Sequence, residues 1–271
     1  MDIISKEKGL TMEIKILGAG SAFCLGNYQS NFIINIEGNN LLLDCGGDIR
    51  FSLKEQGMSY KDINAVYISH AHADHVGGLE YLAFSTMFDP SAKKPILFCE
   101  KQLLNEVWPN TLRGGLETIE GRLVTLADYF DIIEVPQNGG FIFEDVEFNL
   151  VQTVHVASKY RIVPSYGLMF INPNNKERIF WTSDTQFCPE TYIKAAYNES
   201  DLILHDCETS PYKSGVHSNF IDLVTLPLET KNKMWLYHYQ DNVSLDFDRW
   251  NEEAKGNGFR GFLRKGDILL K

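Results

Sequence analysis

The side chains best suited to catalysis lie in one short stretch of the chain. Residues 69–75 read Ser-His-Ala-His-Ala-Asp-His, which places four potential metal ligands within six residues. Imidazole nitrogens and carboxylate oxygens are the ligands that Zn²⁺, Mn²⁺, Fe²⁺ or Co²⁺ accepts, and a catalytic site leaves one position for water. We therefore predict a catalytic metal site here. The alternative, a histidine-rich surface loop, agrees poorly with this density of ligands.

The segments on either side predict how these ligands are held. Residues 64–69 have the β-branched and aromatic content of a buried strand, and residues 79–87 show apolar side chains at helical spacing. The ligands are thus predicted to lie on a tight loop between a strand and a helix. Such a loop can point His70 and His72 to one side and Asp74 and His75 to another, an arrangement that suits two metal ions.

This motif, with Gly77 and Gly78 after it, resembles the signature of the metallo-β-lactamase superfamily. The resemblance implies an α/β fold, an αββα sandwich with a one- or two-metal site at its edge. We expect a single domain over residues 12–271, preceded by an N-terminal extension at residues 1–11. The opening segment LGAGSAFCLGNYQSNFII is similar to the RNase Z-like branch.

The resemblance also implies a ligand set for two divalent ions, with zinc expected and manganese as the alternative. It assigns His70, His72 and His155 to metal 1, Asp74, His75 and His238 to metal 2, and Asp184 as the bridging ligand. A lone histidine such as His155 is usually structural, but its place in a chain with this motif favours a ligand. The chain has seven histidines, and all lie at motif positions: His70, His72, His75, His155, His205, His217 and His238.

A second motif suggests a proton donor. His205-Asp206 and His217-Ser218 resemble the His-Glu-Ala-Thr and His-Ser-Thr motifs of RNase Z-like phosphodiesterases, with Asp206 in place of glutamate. Since imidazole titrates near neutral pH, we predict that His217 is a general acid or a phosphate-binding group and that Asp206 holds its tautomer and raises its pKa. Asp74 completes the predicted catalytic set, and His205 is left out. An ion pair without catalytic use is the alternative.

Four further expectations concern structure near the site. A buried aspartate at the end of a strand is costly unless it is paired or hydrogen-bonded, and the resemblance implies that Asp44 supports the metal loop. The alternative is the N-cap of a helix at residues 48–56. A strand is expected to end at His155, and residues 109–121 are expected to be a mobile loop or a dimer contact. Aromatic residues at helical spacing favour the core over base stacking; they are Tyr81, Phe84, Phe88 and Trp108.

The composition limits the classes of substrate. The chain has 271 residues and a net charge of −11, which disfavours a broad polyanion-binding surface. RNase Z enzymes resembling this chain carry a long arm that grips tRNA, and the short interval between His155 and Asp184 has no room for it. A small phosphodiester is therefore favoured over tRNA. Within the resemblance, the branch without an arm includes cyclic nucleotide phosphodiesterases, among them anti-Pycsar enzymes.

Other functions remain open at this stage. They are a tRNA 3′-processing endonuclease, a lactonase or thioesterase of the same fold, and a non-enzymatic scaffold. The resemblance implies a homodimer. No apolar run approaches the ~20 residues of a membrane span, and the N-terminus is too charged for a secretory signal, so we predict a cytoplasmic protein without a membrane partner.

Overall fold

The computed structural model describes residues 10–191 and 193–270, so most of the predicted N-terminal extension lies outside the described residues. Sixteen strands are present in this part of the chain. In chain order they are β1 (Met12–Gly18), β2 (Asn31–Ile36), β3 (Asn39–Leu43), β4 (Ala65–Ile68), β5 (Ile96–Glu100), β6 (Thr118–Ile119), β7 (Arg122–Leu123), β8 (Asp131–Val135), β9 (Gly140–Phe143), β10 (Val146–Ala157), β11 (Ile162–Ile171), β12 (Arg178–Trp181), β13 (Leu202–Asp206), β14 (Met234–Tyr237), β15 (Gly261–Phe262) and β16 (Ile268–Leu269).

Two sheets of seven strands form the framework, and β6 and β7 pair separately. The first sheet has the order β16-β1-β2-β3-β4-β5-β8, and the second has the order β15-β14-β13-β12-β11-β10-β9. In each sheet an antiparallel half joins a parallel half: β3, β4, β5 and β8 run parallel, as do β12 to β15. Strands covered on both faces read as continuous apolar runs, and all four residues of β4 are buried.

Helices cover the outer faces of both sheets. They are α1 (Ile49–Glu55), α2 (Ala73–Val76), α3 (Leu79–Met87), α4 (Lys101–Glu106), α5 (Arg113–Leu116), α6 (Leu126–Tyr129), α7 (Ile193–Glu199), α8 (Phe220–Leu223), α9 (Leu228–Lys231), α10 (Asp241–Leu245) and α11 (Phe247–Gly256), with a 3₁₀ turn at Tyr60–Asp62. Helices α1, α4 and α6 pack on the first sheet, and α7 and α11 pack on the second. This is the predicted αββα sandwich, and the fold prediction is confirmed.

Aromatic side chains fill the space between the sheets. The ring of Phe32 on β2 lies 5.0 Å from that of Tyr237 on β14, and Tyr67 on β4 lies 6.2 Å from Trp181 on β12, both edge to face. The Tyr67 hydroxyl also donates to the Tyr166 carbonyl at 2.7 Å, so a hydrogen bond joins the two sheets. These contacts fix the sheets relative to each other.

Two local predictions were wrong. Strand β10 continues past His155 to Ala157, and its register with β11 shifts between Val154 and Val156, so His155 lies at a β-bulge. The mobile loop predicted at residues 109–121 is not found, because a π-helical segment at Val107–Leu112 joins α4 to α5; the alternative for this segment, a dimer contact, stays a prediction. The buried residues of the π-helical segment are Val107 and Leu112, which are five residues apart, a spacing that the 3.6-residue period of an α-helix does not detect.

No helix in the described ranges is both long and apolar enough to span a membrane.

Candidate metal centre

The centre is built where parallel strands end. Strands β3, β4, β12, β13 and β14 point the same way within their sheets, so their carboxyl ends meet along one edge of the sandwich. Strand β10 reaches the same edge, because two antiparallel pairings separate it from β12. The polar residues at or just beyond the ends of these strands are Asp44, His70, His155, Asp184, Asp206 and His238.

Three residues just after the strand ends have a backbone conformation that residues other than glycine rarely adopt. Asp44, Ser183 and His238 have φ values of +59°, +52° and +67°, in the left-handed region. Each such residue costs about 1–3 kcal/mol and persists only where its surroundings hold it. All three lie just after the end of a strand, where the sharp turn directs Asp184 and His238 toward the same point.

That point is the carboxylate of Asp184, which is 1% exposed. Its Oδ2 atom lies 3.7 Å from His70 Nε2, 3.3 Å from His75 Nε2, 3.6 Å from His155 Nε2 and 3.4 Å from His238 Nε2. Three groups with metal-ligand spacing share it. They are His70, His72, His155 and Asp184; Asp74, His75, Asp184 and His238; and Asp184, Asp206, His217 and His238. In each group the ligand atoms lie within 4.8 Å of one another.

Hydrogen bonds from outside aim these rings inward. The Nδ1 atoms of His70, His75 and His155 lie 3.0 Å from Ser69 Oγ, 2.6 Å from Asp44 Oδ2 and 2.8 Å from the Val216 carbonyl. Because Nδ1 of each of these three rings makes this outer hydrogen bond, Nε2 is the atom that faces the centre. His72 instead presents Nδ1, at 3.2 Å from His70 Nε2 and 3.0 Å from His155 Nε2.

The donor set fits divalent cations. His75 Nε2 and Asp184 Oδ1 are buried and have no hydrogen-bond partner among the described residues, a costly arrangement that a cation would relieve. Burial lowers the pKa of His70 and lowers that of His155 to about 4, which favours the neutral imidazole that binds metals. Burial also opposes the charge on His238, but the carboxylates around it, above all Asp184, raise its pKa to about 10.

Asp44 supports the metal loop, as predicted, and does not cap the helix, which begins after Asp48. Its carboxylate accepts hydrogen bonds from the Ser69 backbone N–H and hydroxyl, both at 2.8 Å, in addition to its contact with His75. Burial raises the pKa of Asp44, although each of these contacts works in the opposite direction. One residue therefore orients both the loop backbone and a ligand ring.

His217 lies beside the centre with Asp206 behind it. Its Nδ1 is 3.0 Å from Asp206 Oδ2, and its ring centroid is 4.8 Å from that of His155 and 4.6 Å from that of His238. Burial opposes the charged imidazole, but the adjacent Asp206 carboxylate raises the pKa of His217 above its ordinary value. The other oxygen of Asp206 lies 3.4 Å from His238 Nδ1. Sequence reasoning missed this second contact, since only the fold brings β13 and β14 together.

All predicted site residues come together, and the histidine that was left out lies apart. His205 is fully buried between the Tyr197 hydroxyl and the Asp206 carbonyl, in none of the ligand groups. The predicted loop does not extend over all four ligands of the motif, because Asp74 and His75 belong to the short helix α2. Gly46 and Gly78 allow this helix to approach closely: a Cβ at Gly46 would lie 2.3 Å from the Asp74 carbonyl oxygen.

A cavity of about 410 Å³ opens onto the centre. His72, Asp74, His155, Asp184 and His217 contribute to its lining, as do Phe23 and Gln29.

The aromatic residues singled out in the sequence lie elsewhere: Tyr81, Phe84 and Trp108 pack against the core, and Phe88 stacks on Phe84. The core interpretation is therefore correct for the first three. Phe23, which the sequence gave no reason to select, is the aromatic side chain at this cavity.

Comparison with known proteins points to one family. A family model described as Anti-Pycsar protein Apyc1 matches residues 12–269. The chain is 36% identical over 233 residues to the Anti-Pycsar protein Apyc1 of Paenibacillus harenae, covering 86% of this chain and 91% of the relative. The protein of the same name from Bacillus phage vB_BsuM-Goe3 is 31% identical over 243 residues, covering 86% of this chain and 91% of the relative.

Solved structures share the fold at low sequence identity. The metallo-β-lactamase fold protein YhfI from Bacillus subtilis is similar with a TM-score of 0.69 at 16% identity, covering 97% of this chain and 99% of that chain. A diphosphatase of the PhnP family gives 0.70 at 15% identity, covering 95% and 97%. Zn²⁺-bound PqqB from Methylobacterium extorquens gives 0.70 at 15% identity, covering 95% and 99%. The metallo-β-lactamase architecture is thus found over nearly the whole chain.

Proposed function

The chain belongs to the Anti-Pycsar protein Apyc1 family, and from this premise we propose that it is a phosphodiesterase that opens small cyclic nucleotides with two divalent metal ions. The coarser class, a metal-dependent hydrolase, agrees with the family, the fold and the groups of potential ligands. The observation that carries the proposal is the convergence of four imidazoles on Asp184, with a fifth, His217, beside the same cavity.

Of the three groups, we assign the first two as the metal ligands and leave His217 and Asp206 for proton transfer. His70, His72 and His155 would hold one ion, and Asp74, His75 and His238 would hold the other, with Asp184 between them. Zinc is the expected metal and manganese the alternative, because both accept nitrogen and carboxylate donors. When bound, the ions would neutralise the phosphodiester and supply a nucleophilic water at neutral pH.

His217 is proposed to protonate the leaving group. Hydrolysis forms a bond from the water oxygen to phosphorus and breaks a bond from phosphorus to a sugar oxygen, which departs as an alkoxide and needs a proton. Asp206 holds Nδ1 of His217, so Nε2 is left to carry that proton, and the raised pKa favours the protonated ring. Asp206 itself acts through the two histidines that it contacts.

The cavity favours a small substrate. Its volume of about 410 Å³ lies within the ordinary range for sites that bind small molecules. Between His155 and Asp184 the chain forms the end of β10, all of β11 and β12 and the turns between them, so no arm for gripping tRNA is inserted there. We therefore place cyclic nucleotides ahead of tRNA precursors, and we retain the homodimer predicted from the sequence as part of the proposal.

The test compares the metal-loaded wild type with His217→Ala. Both are incubated with cyclic mononucleotides, cyclic dinucleotides, a 3′-extended tRNA precursor and a lactone, and products are followed by chromatography. We expect ring opening of a cyclic nucleotide, with kcat reduced about 10²- to 10⁴-fold in His217→Ala, the range for a lost general acid. Metal content should not change, because His217 belongs to neither assigned ligand group.

Tyr212→Ala serves as the control, because Tyr212 is 84% exposed and precedes His217 by a few residues. It should retain wild-type activity. Cleavage of the tRNA precursor alone would contradict the small-substrate proposal. Lactone hydrolysis that survives His217→Ala, without cleavage of any phosphodiester, would identify a carboxylic-ester hydrolase instead. Sedimentation of the wild type tests the homodimer separately.

A further inference from the structure

Phe23 combines two properties that rarely occur together. Its side chain is 88% exposed, so it contributes little to the core, and yet it lines the cavity above the metal centre. The strand before it, β1, runs parallel to β3 because both pair antiparallel with β2. The loop that follows β1 therefore emerges at the same edge as the metal ligands.

This loop is held in place and does not simply project into solvent. Asp241 accepts hydrogen bonds from the backbone N–H groups of Leu25 and Gly26, each at 2.9 Å, and lies 3.1 Å from Cys24 Sγ. On the other side of Phe23, the Ser21 N–H donates to the Tyr239 carbonyl at 2.9 Å. Both anchors belong to the segment just after His238. The phenyl ring is thus carried on a braced loop tied to a predicted metal ligand.

The other residues that line the cavity offer few groups that could bind the part of a substrate that lies far from its phosphate. Apart from the predicted metal and catalytic residues, Gln29 is the one polar side chain among the described lining residues. Its amide already lies within hydrogen-bond distance of the Ala22 carbonyl, at 3.3 Å, and the Asp48 N–H, at 3.4 Å. Ala22, Ala73 and Val216 are small and apolar. A flat aromatic ring is therefore the main recognition surface beside the metal centre.

We propose that Phe23 stacks on the nucleobase of the substrate while its phosphate lies at the metal centre. This inference rests on the proposed cyclic nucleotide function and identifies the residue that binds the base. Every nucleobase presents a π face, and an exposed aromatic ring on a rigid loop binds such a face without needing a matched set of hydrogen bonds.

The test measures kcat and KM for Phe23→Ala, Phe23→Leu and Phe23→Trp on a cyclic mononucleotide and on a ribose cyclic phosphate that carries a methoxy group in place of the base. We expect KM for the nucleotide to rise about 5- to 100-fold in Phe23→Ala, the range that base–aromatic stacking supplies. Phe23→Trp should restore binding and Phe23→Leu should not. KM for the baseless substrate should stay at the wild-type value.

Leu25→Ala is the matched control, because Leu25 is equally exposed at 88% on the same loop but does not line the cavity. It should leave both substrates unaffected. An equal loss on the baseless substrate, an equal effect of Leu25→Ala, or a change in sedimenting mass in Phe23→Ala would overturn the stacking role. If the wild type opens no cyclic nucleotide at all, the proposed function fails; if it does and Phe23→Ala matches it, only the role of Phe23 fails.

Discussion

Replacing Asp44 by asparagine should weaken metal binding while leaving the fold nearly intact. The carboxylate accepts from the Ser69 N–H and hydroxyl, and it receives the Nδ1 proton of His75 at 2.6 Å. Asparagine has almost the same shape, and its oxygen can still accept from the Ser69 N–H. Its amide nitrogen, however, can only donate toward His75.

The consequence for His75 is a change of tautomer. An N–H pointing at Nδ1 requires that atom to accept, so the ring proton moves to Nε2, which is the atom that faces Asp74 and Asp184 at 3.2 and 3.3 Å. A protonated Nε2 cannot bind a cation. Loss of such outer hydrogen-bond support typically costs 10- to 100-fold in metal affinity. The stability of the metal-free protein should fall by only about 1–2 kcal/mol, since a charge-assisted hydrogen bond becomes a neutral one.

Competition titration of zinc against a chromogenic chelator measures the affinity, and thermal unfolding of the metal-free proteins measures the stability. Asp48→Asn is the control, because Asp48 accepts from the Gln29 N–H at 2.8 Å and contacts no histidine. It should bind zinc like the wild type. Wild-type affinity in Asp44→Asn, or an equal loss in Asp48→Asn, would refute the tautomer argument.

Three further predictions follow from the same geometry. Asp206→Asn should lower both kcat and metal content, because Asp206 contacts His217 and His238; metal analysis beside kinetics checks this, and a fall in kcat alone would contradict the second contact. Zinc at about 100 times its Kd should stabilise the protein by about 2.7 kcal/mol, read from unfolding midpoints with and without a chelator; no shift would argue against a metal site. Gly46→Ala should destabilise by about 1–3 kcal/mol, because its Cβ would meet the Asp74 carbonyl. Gly114→Ala, with open space around it in helix α5, should leave the stability unchanged or raise it by up to about 1 kcal/mol; equal melting temperatures of the two variants would show that the glycine contact is unimportant.

The fold was predictable because its signals are local or repeat along the chain. Buried strands such as β2 and β4 read as apolar runs, and the histidine motif lies within six residues. The π-helical segment was missed, since its buried positions follow neither of the two regular periods. The position of His155 in β10 was also misjudged, because a β-bulge depends on the pairing partner and not on the strand's own sequence.

The site was predictable as a set of residue types but not as a network. Nothing in the sequence separates the two oxygens of Asp206, and only the adjacency of β13 and β14 places one at His217 and the other at His238. Phe23 was missed for a similar reason. One aromatic residue in a glycine-rich segment carries no periodic signal, and its relevance comes from the return of the chain at Asp241, far along the sequence.

The metal edge of the sandwich contains departures from ordinary local structure. Asp44, Ser183 and His238 adopt left-handed backbone without being glycine. Two buried polar atoms of the same centre also lack a hydrogen-bond partner among the described residues: His75 Nε2 and Asp184 Oδ1. Each departure costs free energy, and a centre used only for packing would gain nothing from them. A bound cation would offset part of this cost, because it would give His75 Nε2 and Asp184 Oδ1 a partner that the described residues do not provide. The unpaired atoms therefore support a site shaped for metal ions.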